Sequence, residues 1–232
     1  MVKLHTAQDL SRLRRRASQP AFAAAAAALR RRTDDFLAGN LAVPERSAGF
    51  YHDYFCPEHA VELTFDPASP TAHRCPSDSR LFSGEPFDSA WLWFVNNRLS
   101  TMALSLALRW RIDGEPGHLL RAGEILTGYA SRYGSYRPLK PREFGNGKAT
   151  FQSLDEAVWL IPLARAYDLV RDGLSESERG EIEERLLIPA AEHILSQKYN
   201  RIHNIENWHN TAIAAAGLLL GEERFLRIAI EE

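Results

Sequence analysis

The feature that most constrains the fold is a long apolar segment near the end of the chain. Residues 207–220 contain no formally charged side chain, and apolar residues fall on every face of a helix drawn through them. A helix that is apolar all round is normally buried all round. Polar groups nevertheless gather at its start, at Asn204, Glu206, Asn207 and His209. The sequence therefore predicts a buried helix with a polar cluster at its N-terminal end.

Most of the chain beyond residue 88 has the pattern of helices separated by glycine turns. We predict helices over residues 88–111, over 116–133, from Thr150 or Ser153 to about 170, over 175–197, and a last pair that starts near Asn204 and turns at Gly221. Ser175 and Glu178 have capping-box spacing. Residues 111–124 resemble residues 218–231, each being a helix end, a Gly-Glu turn and a returning helix. Such repeats are typical of stacked helix pairs. The predicted fold class is all-α, an incomplete α/α toroid of antiparallel helix pairs, with a plain helical bundle as the alternative.

The first 87 residues divide into two further parts. Residues 1–39 have a helical pattern that is broken near Pro20. Residues 40–87 are rich in proline, contain both cysteines and an aromatic cluster, and lack helical periodicity. We predict an N-terminal helical segment at 1–39, a small irregular or β-containing insert at 40–87, and the toroid helices at 88–232.

Charge and hydropathy exclude some classes of partner. The formal net charge of -2 does not provide the basic face that nucleic acids need. Residues 21–29 are apolar and follow a basic segment, as in a signal peptide, but three arginines stand where a cleavage site should lie. Ordinary helix is therefore favoured there. With no apolar run near the roughly 20 residues that span a bilayer, we expect a cytoplasmic protein without nucleic-acid or membrane partners.

The polar cluster at residues 204–209 has chemistry suited to a carboxylate ligand. A helix N-terminus offers unpaired N–H groups and partial positive charge, and asparagine amides add donors. A neutral His209 could act as a base or as a hydrogen-bond donor. Elimination across a uronic acid needs these groups, because its C5 proton is weakly acidic until the carboxylate is neutralised. The alternative from the residues alone is a capping asparagine and a core histidine.

Three segments carry a resemblance to a known family. They are Asn204-Ile-Glu-Asn-Trp-His-Asn-Thr-Ala, Phe151-Gln-Ser-Leu-Asp-Glu-Ala and Ser83-Gly-Glu-Pro-Phe-Asp-Ser-Ala-Trp, which resemble heparinase II/III-like polysaccharide lyases and related alginate lyases. The resemblance implies an α/α toroid that precedes a β-sandwich, and β-elimination on a uronate-containing glycan with no cofactor required for catalysis. It implies His209 or Asn207 as the group that meets the substrate carboxylate, and Gln152 as a residue of the sugar cleft. We therefore predict His209 and Asn207 as catalytic residues, and Asn204, Gln152 and Trp208 as substrate-binding residues. Asn204 and Asn207 are both candidates for the family's asparagine.

The resemblance is incomplete at the end of the chain. Members of the family also use a catalytic tyrosine and a second histidine further along, whereas this sequence ends at Glu232. We therefore expect an incomplete enzyme with little activity by itself, either a fragment or a chain that a partner completes. The basic loop at residues 134–148, with Lys140, Arg142, Asn146 and Lys148, is expected near the cleft.

Two other functions stay open. A glycoside hydrolase on an α/α barrel would need two carboxylates across the scissile bond, for which Asp155, Glu156 and Glu206 are available. Asp155 and Glu156 are neighbours on a helix and point in different directions, so they fit first-turn charges better. The other alternative is a non-catalytic helical domain that binds a glycan or a protein.

The two cysteines occur in matching turns. Cys56-Pro-Glu-His59 and Cys75-Pro-Ser-Asp78 have the form in which zinc ribbons present paired ligands. Here the last positions are His59 and Asp78, aspartate being a poorer structural zinc ligand than cysteine, and His73 is a further candidate. A structural zinc, a ribbon that packs without metal, and a disulfide are the three alternatives, of which a cytoplasmic setting disfavours the disulfide.

Overall fold

A computed structural model of the protein describes residues 4–138, 145–198 and 202–231. The fold in these ranges is all-α. The helices are α1 (Ala7–Ala17), α2 (Ala23–Leu37), α3 (Phe87–Asp113), α4 (Pro116–Tyr133), α5 (Ser153–Val170), α6 (Glu176–Ile182), α7 (Ile188–Ser196), α8 (Asn204–Leu220) and α9 (Glu223–Glu231). Short 3₁₀ turns occupy Pro20–Phe22, Tyr51–Asp53 and Arg171–Gly173, and a π-helical turn at Glu183–Leu187 joins α6 to α7. Of the helices in the described ranges, none is both long and apolar enough to cross a membrane.

The long helices form two layers. Helices α3, α5 and α8 lie side by side, and α4, the α6–α7 segment and α9 pack around them. Helices α3 and α5 run in the same direction, because Asn96 donates to the carbonyl of Ala149 at 2.8 Å near their N-terminal ends and Arg111 donates to that of Leu169 at 2.6 Å near their C-terminal ends. The return helix α4 follows α3 after a left-handed turn at Gly114. This inner and outer layering fits an α/α toroid, and it brings the N-terminal ends of the inner helices together.

The core lies between the two layers. Helix α5 is buried along most of its length, and Trp159 on it stacks on Tyr133 of α4, with 5.8 Å between ring centroids. Helix α8 departs from the predicted burial on all faces. Ile213 and Ala216 are fully buried, but Trp208 is 43% exposed and Thr211 is also exposed. Within the described ranges α8 packs mainly on α5, α7 and α9. The stripe that those helices do not cover is therefore exposed.

Most predicted helix bounds agree with the structure to within two residues, and the differences have local causes. The break near Pro20 and the capping box of Ser175 and Glu178 are confirmed. The predicted cap of α5 was wrong, since Gln152 occupies the N-cap position in an extended conformation. Thr150 instead donates to Glu156, one turn inside the helix.

The segment between α2 and α3 is largely irregular and packs on the first turns of α3. It contains a two-stranded antiparallel ladder of β1 (His73–Arg74) and β2 (Leu81–Phe82), and isolated antiparallel bridges join Phe55 to Glu62 and Thr64 to Arg74. Trp91 donates to the carbonyl of Asp66 at 2.9 Å. Buried His73 bridges Tyr54 and Asp88, at 2.8 Å from its Nδ1 and 2.9 Å from its Nε2. These contacts fix the segment to α3, while the three-domain division stays a prediction.

Candidate functional site

The candidate site lies at the end where α5 and α8 begin. The loop before α5 folds back on itself, with an antiparallel bridge between Asn146 and Gln152. A Cβ atom at Gly147 would lie 2.5 Å from the carbonyl oxygen of Thr150, so this close approach requires glycine. The loop is also tied to α7, because the Asn146 backbone bonds both Gln197, at 2.9 Å, and His193, at 2.8 Å.

The side chain of Glu156 binds this loop from the protein interior. This side chain is fully buried, and its carboxylate accepts hydrogen bonds from the backbone N–H groups of Lys148, Ala149 and Thr150. It also accepts from the hydroxyls of Thr150 and Tyr133, each at 2.8 Å. The prediction that Glu156 is a first-turn charge serving the helix dipole was therefore incomplete, because its partners are loop amides. A carboxylate so surrounded positions the loop and is shielded from substrate.

The polar residues at the start of α8 differ in their exposure to solvent. Asn204 and Asn207 are exposed, as is Trp208, whereas Glu206 is 5% exposed and His209 is fully buried. The N-cap position belongs to His203, whose ring accepts from the N–H of Ile205 at 3.2 Å. The amides of the cluster therefore face outward, and its two titratable groups lie beneath them.

The buried groups form a charge-balanced set. Glu206 lies 3.5 Å from Nδ1 of His209 and 3.6 Å from the ammonium of Lys198, whose side chain is 5% exposed. Burial lowers the pKa of His209, against the opposing effect of Glu206 and a hydrogen bond with the backbone of Ser153. The imidazole is therefore neutral near pH 7 and links the first turns of α5 and α8. Its complete burial is what the core-histidine alternative predicts, whereas its catalytic role stays a prediction.

Aromatic side chains from three segments meet near the start of α5. Tyr51 stacks on Trp93 with 4.6 Å between ring centroids, and Phe50 stacks on Phe151 at 5.2 Å. Partial burial and the nearby charge of Asp155 raise the pKa of Tyr51. We call these four partly exposed rings the aromatic surface. Sequence reasoning missed it, because the three segments are far apart in the chain and only the fold unites them.

A cleft of about 330 Å³ opens beside Phe50 and Phe151. Its rim carries Asp53 and Glu85, and Glu85 also pairs with Arg46 at 2.9 Å. Two carboxylates on the rim disfavour binding of an anion there.

The predicted metal residues are only partly brought together. Ligand atoms of Cys56, His59 and Cys75 all lie within 4.8 Å of one another, and both cysteines are buried free thiols. Asp78 lies outside this group, and its carboxylate accepts from the backbone N–H of Arg80 at 3.0 Å. His73 was wrongly considered as a ligand, since both its ring nitrogens bond Tyr54 and Asp88.

The other residues predicted from the sequence belong to the start of α5 and to the loop before it. Gln152 is half-buried beside Ser153, at the end where α5 begins. Lys148 places its ammonium over the ring of Tyr133, 4.6 Å from the centroid, and burial lowers its pKa. Lys140 and Arg142 of the predicted basic loop lie outside the described residues.

Comparison with known proteins finds relatives for about half of this chain. No family model matches the chain. An exo-oligoalginate lyase of Saccharophagus degradans is 32% identical over 125 residues, which cover 52% of this chain and 17% of that protein. An alginate lyase of Stenotrophomonas maltophilia is 30% identical over 127 residues, which cover 53% of this chain and 17% of the relative. The chain is related to polysaccharide lyases. The matched region spans less than a fifth of the length of each relative.

Proposed function

We propose that this chain forms part of the substrate cleft of a lyase that cleaves uronate-containing glycans by β-elimination. The observation that carries the proposal is the position of two exposed amides, Asn204 and Asn207, at the N-terminal turn of α8. Both relatives are named for alginate, a polymer of uronic acids, so an alginate-type polyuronate is the first substrate to test. The narrower assignment to heparinase II/III-like lyases belongs to the same proposal.

We assign the steps of the elimination to residues at the start of α8. The uronate carboxylate binds the side-chain amides of Asn207 and Asn204 at the positive end of the α8 dipole, which withdraw charge from it. The C5 proton passes to a base, the C5–H electrons form the C4–C5 double bond, and O4 leaves with a proton from an acid. Neutral His209 is the group we assign to proton transfer. Because its imidazole is buried, the sugar must displace the side chains over His209 on binding.

Carbohydrate binding has further support in the exposed rings. The apolar faces of sugar rings pack on aromatic side chains, and Trp208 beside Asn207 is 43% exposed. We assign Trp208 and Gln152 to substrate binding next to the carboxylate site. The aromatic surface near the start of α5 provides a second place for a sugar ring at the same end of the helices.

A glycan-binding measurement tests this part of the proposal on the chain as it stands. We expect the protein to migrate more slowly in native gels that contain alginate than in gels with a neutral glucan. Asn207→Ala should reduce the alginate affinity obtained from this retardation at least about tenfold, since a hydrogen bond to a charged group contributes about 1.5–3 kcal/mol. Asn40→Ala, an exposed asparagine elsewhere, is the matched control. Equal retardation of Asn207→Ala and the control would remove Asn207 from the site.

Ultraviolet absorbance distinguishes the reaction types. Elimination creates an unsaturated uronate that absorbs in the ultraviolet, whereas a glycoside hydrolase releases reducing ends without that absorbance. The assay uses the chain alone and the chain continued beyond Glu232, each with alginate, heparan-type and pectic substrates. Reducing ends without new absorbance would replace the lyase by a hydrolase. If neither the chain alone nor the longer chain gives a product but the protein binds the glycan, it is a non-catalytic glycan-binding domain.

A further inference from the structure

The insert between α2 and α3 contains two turns with the same backbone. In the first, Cys56 donates its N–H to Val61 at 2.8 Å and accepts from Ala60 at 2.8 Å. In the second, Cys75 donates to Arg80 at 2.8 Å and accepts from Ser79 at 2.9 Å. Each turn thus places a buried thiol at its first position and a polar side chain, His59 or Asp78, three residues later.

Both turns hold a non-glycine residue in the left-handed region at the same place. Ala60 has φ of 52° and Ser79 has φ of 64°. This conformation is unfavourable for residues with a Cβ atom, and it persists where the surrounding structure enforces it. Its recurrence one residue after His59 and one residue after Asp78 shows that the two turns are built to present the same set of positions.

The distances between the side chains match a metal-binding geometry. Nδ1 of His59 lies 3.4 Å from Sγ of Cys56 and 3.5 Å from Sγ of Cys75. Tetrahedral zinc with Zn–S of about 2.3 Å and Zn–N of about 2.0–2.1 Å places such nitrogen and sulfur atoms about 3.6 Å apart. The two sulfur atoms also lie within 4.8 Å of each other, so the three atoms form a group of the size that one zinc ion requires.

We propose that Cys56, His59 and Cys75, completed by Asp78, bind one structural zinc ion. Asp78 occupies in the second turn the position that His59 has in the first, three residues after the cysteine of its turn. Two thiolates with an imidazole favour zinc over hard cations such as magnesium, and the carboxylate favours a divalent ion over Cu(I). Binding releases the two thiol protons to solvent, so that the site and its ion together carry a charge of minus one.

The ion would act on stability and on the neighbouring helix. It joins two turns that are otherwise connected by exposed groups, such as the ion pair of Glu58 with Arg80. Between the turns lies His73, which bridges Tyr54 to Asp88 at the start of α3. Removing the ion is therefore expected to loosen the insert where it packs on the first turns of α3.

Metal analysis of the purified full chain tests the proposal. Protein prepared with zinc and a reductant should contain about one zinc per chain after gel filtration. Cobalt added to chelator-treated protein should give the thiolate charge-transfer and tetrahedral d–d absorption bands of a two-sulfur site. His59→Asn should weaken zinc binding at least about 100-fold in competition with an indicator dye. His52→Asn, which replaces an exposed histidine of the same insert, should bind as the wild type does.

Several results would overturn the assignment. A zinc content near zero, with both thiols titrating as free, would leave a turn pair that packs without metal. Loss of both thiols without metal would show a disulfide instead. Because the cysteine variants could fail to fold, the titration of chelator-treated wild type is decisive: a midpoint weaker than micromolar would refute a structural site. An unchanged affinity in Asp78→Asn would remove Asp78 from the ligand set.

Discussion

Replacing Glu156 with glutamine tests how the loop before α5 is held in place. One carboxylate oxygen accepts from Tyr133 at 2.8 Å and from the N–H of Ala149 at 3.2 Å. The other accepts from the N–H of Lys148 at 3.1 Å, and from the N–H and hydroxyl of Thr150 at 2.9 and 2.8 Å. Glutamine keeps one oxygen and replaces the other with an NH₂ group, which cannot accept.

The cost follows from which oxygen is kept. The better orientation leaves the oxygen toward Lys148 and Thr150 and turns the NH₂ toward Tyr133, whose hydroxyl can rotate to accept. The buried N–H of Ala149 then has no acceptor, which costs about 1–3 kcal/mol. The retained bonds lose charge assistance, worth about 1 kcal/mol each, and relief of a buried charge offsets part of the loss. We expect the free energy of unfolding to fall by about 3 kcal/mol.

Urea denaturation measures this change directly. With a slope near 3 kcal/mol per molar, the midpoint of Glu156→Gln should fall by about 1 M. Glu124→Gln is the matched control, because Glu124 is 63% exposed and pairs only with Arg121 in the described ranges. The free energy of unfolding of this control should change by less than about 0.5 kcal/mol. Equal midpoints for the two variants would refute the view that Glu156 holds the loop.

Two further predictions concern close packing and pH. A Cβ atom at Gly49 would lie 2.3 Å from Oγ of Ser89 and 3.0 Å from the backbone N of Ala90, so Gly49→Ala should destabilise the protein by about 1–3 kcal/mol. Gly117→Ala has open space around its Cβ and should leave the thermal midpoint unchanged or raise it; similar losses in both would contradict the packing argument. Burial lowers the pKa of His209 below its ordinary 6.5, so the unfolded chain takes up this proton first as pH falls. Stability should therefore be full above about pH 6.5 and decline as pH falls through the folded pKa, with a smaller decline in His209→Gln. If the urea midpoints of the wild type and of His209→Gln fall by the same amount between about pH 7.5 and pH 5.5, this reasoning is wrong.

The sequence predicted the features of the site that depend on local signals. The start of α8 at Asn204 follows from the polar cluster before an uncharged apolar run, and the structure confirms it. The matching Cys-Pro turns also predicted that Cys56 and Cys75 would approach each other, and their ligand atoms do lie together with that of His59. Chain neighbours determine the start of α8 and the form of each Cys-Pro turn, whereas the fold of the insert brings the two turns together.

Other parts of the site required contacts between distant segments. Tyr51, Trp93 and Phe151 share a surface because an irregular insert packs on α3 while the loop before α5 returns beside it. His73 resembled a ligand by its position between the cysteines, yet the structure places its two nitrogens between Tyr54 and Asp88. Such choices between partners depend on which side chains surround a group in three dimensions.

What the sequence alone determined is the set of elements: helices with glycine turns, a capping box at Ser175, and a polar start to an apolar helix. Periodicity, caps and turns act over a few residues, so they can be read along the chain. The tertiary structure decided which side of α8 is exposed, that Glu156 serves the loop, and that His209 lies buried beneath the amides of Asn204 and Asn207. Burial is a property of the packed layers, because it depends on which helices cover a given face, and no local pattern specifies it.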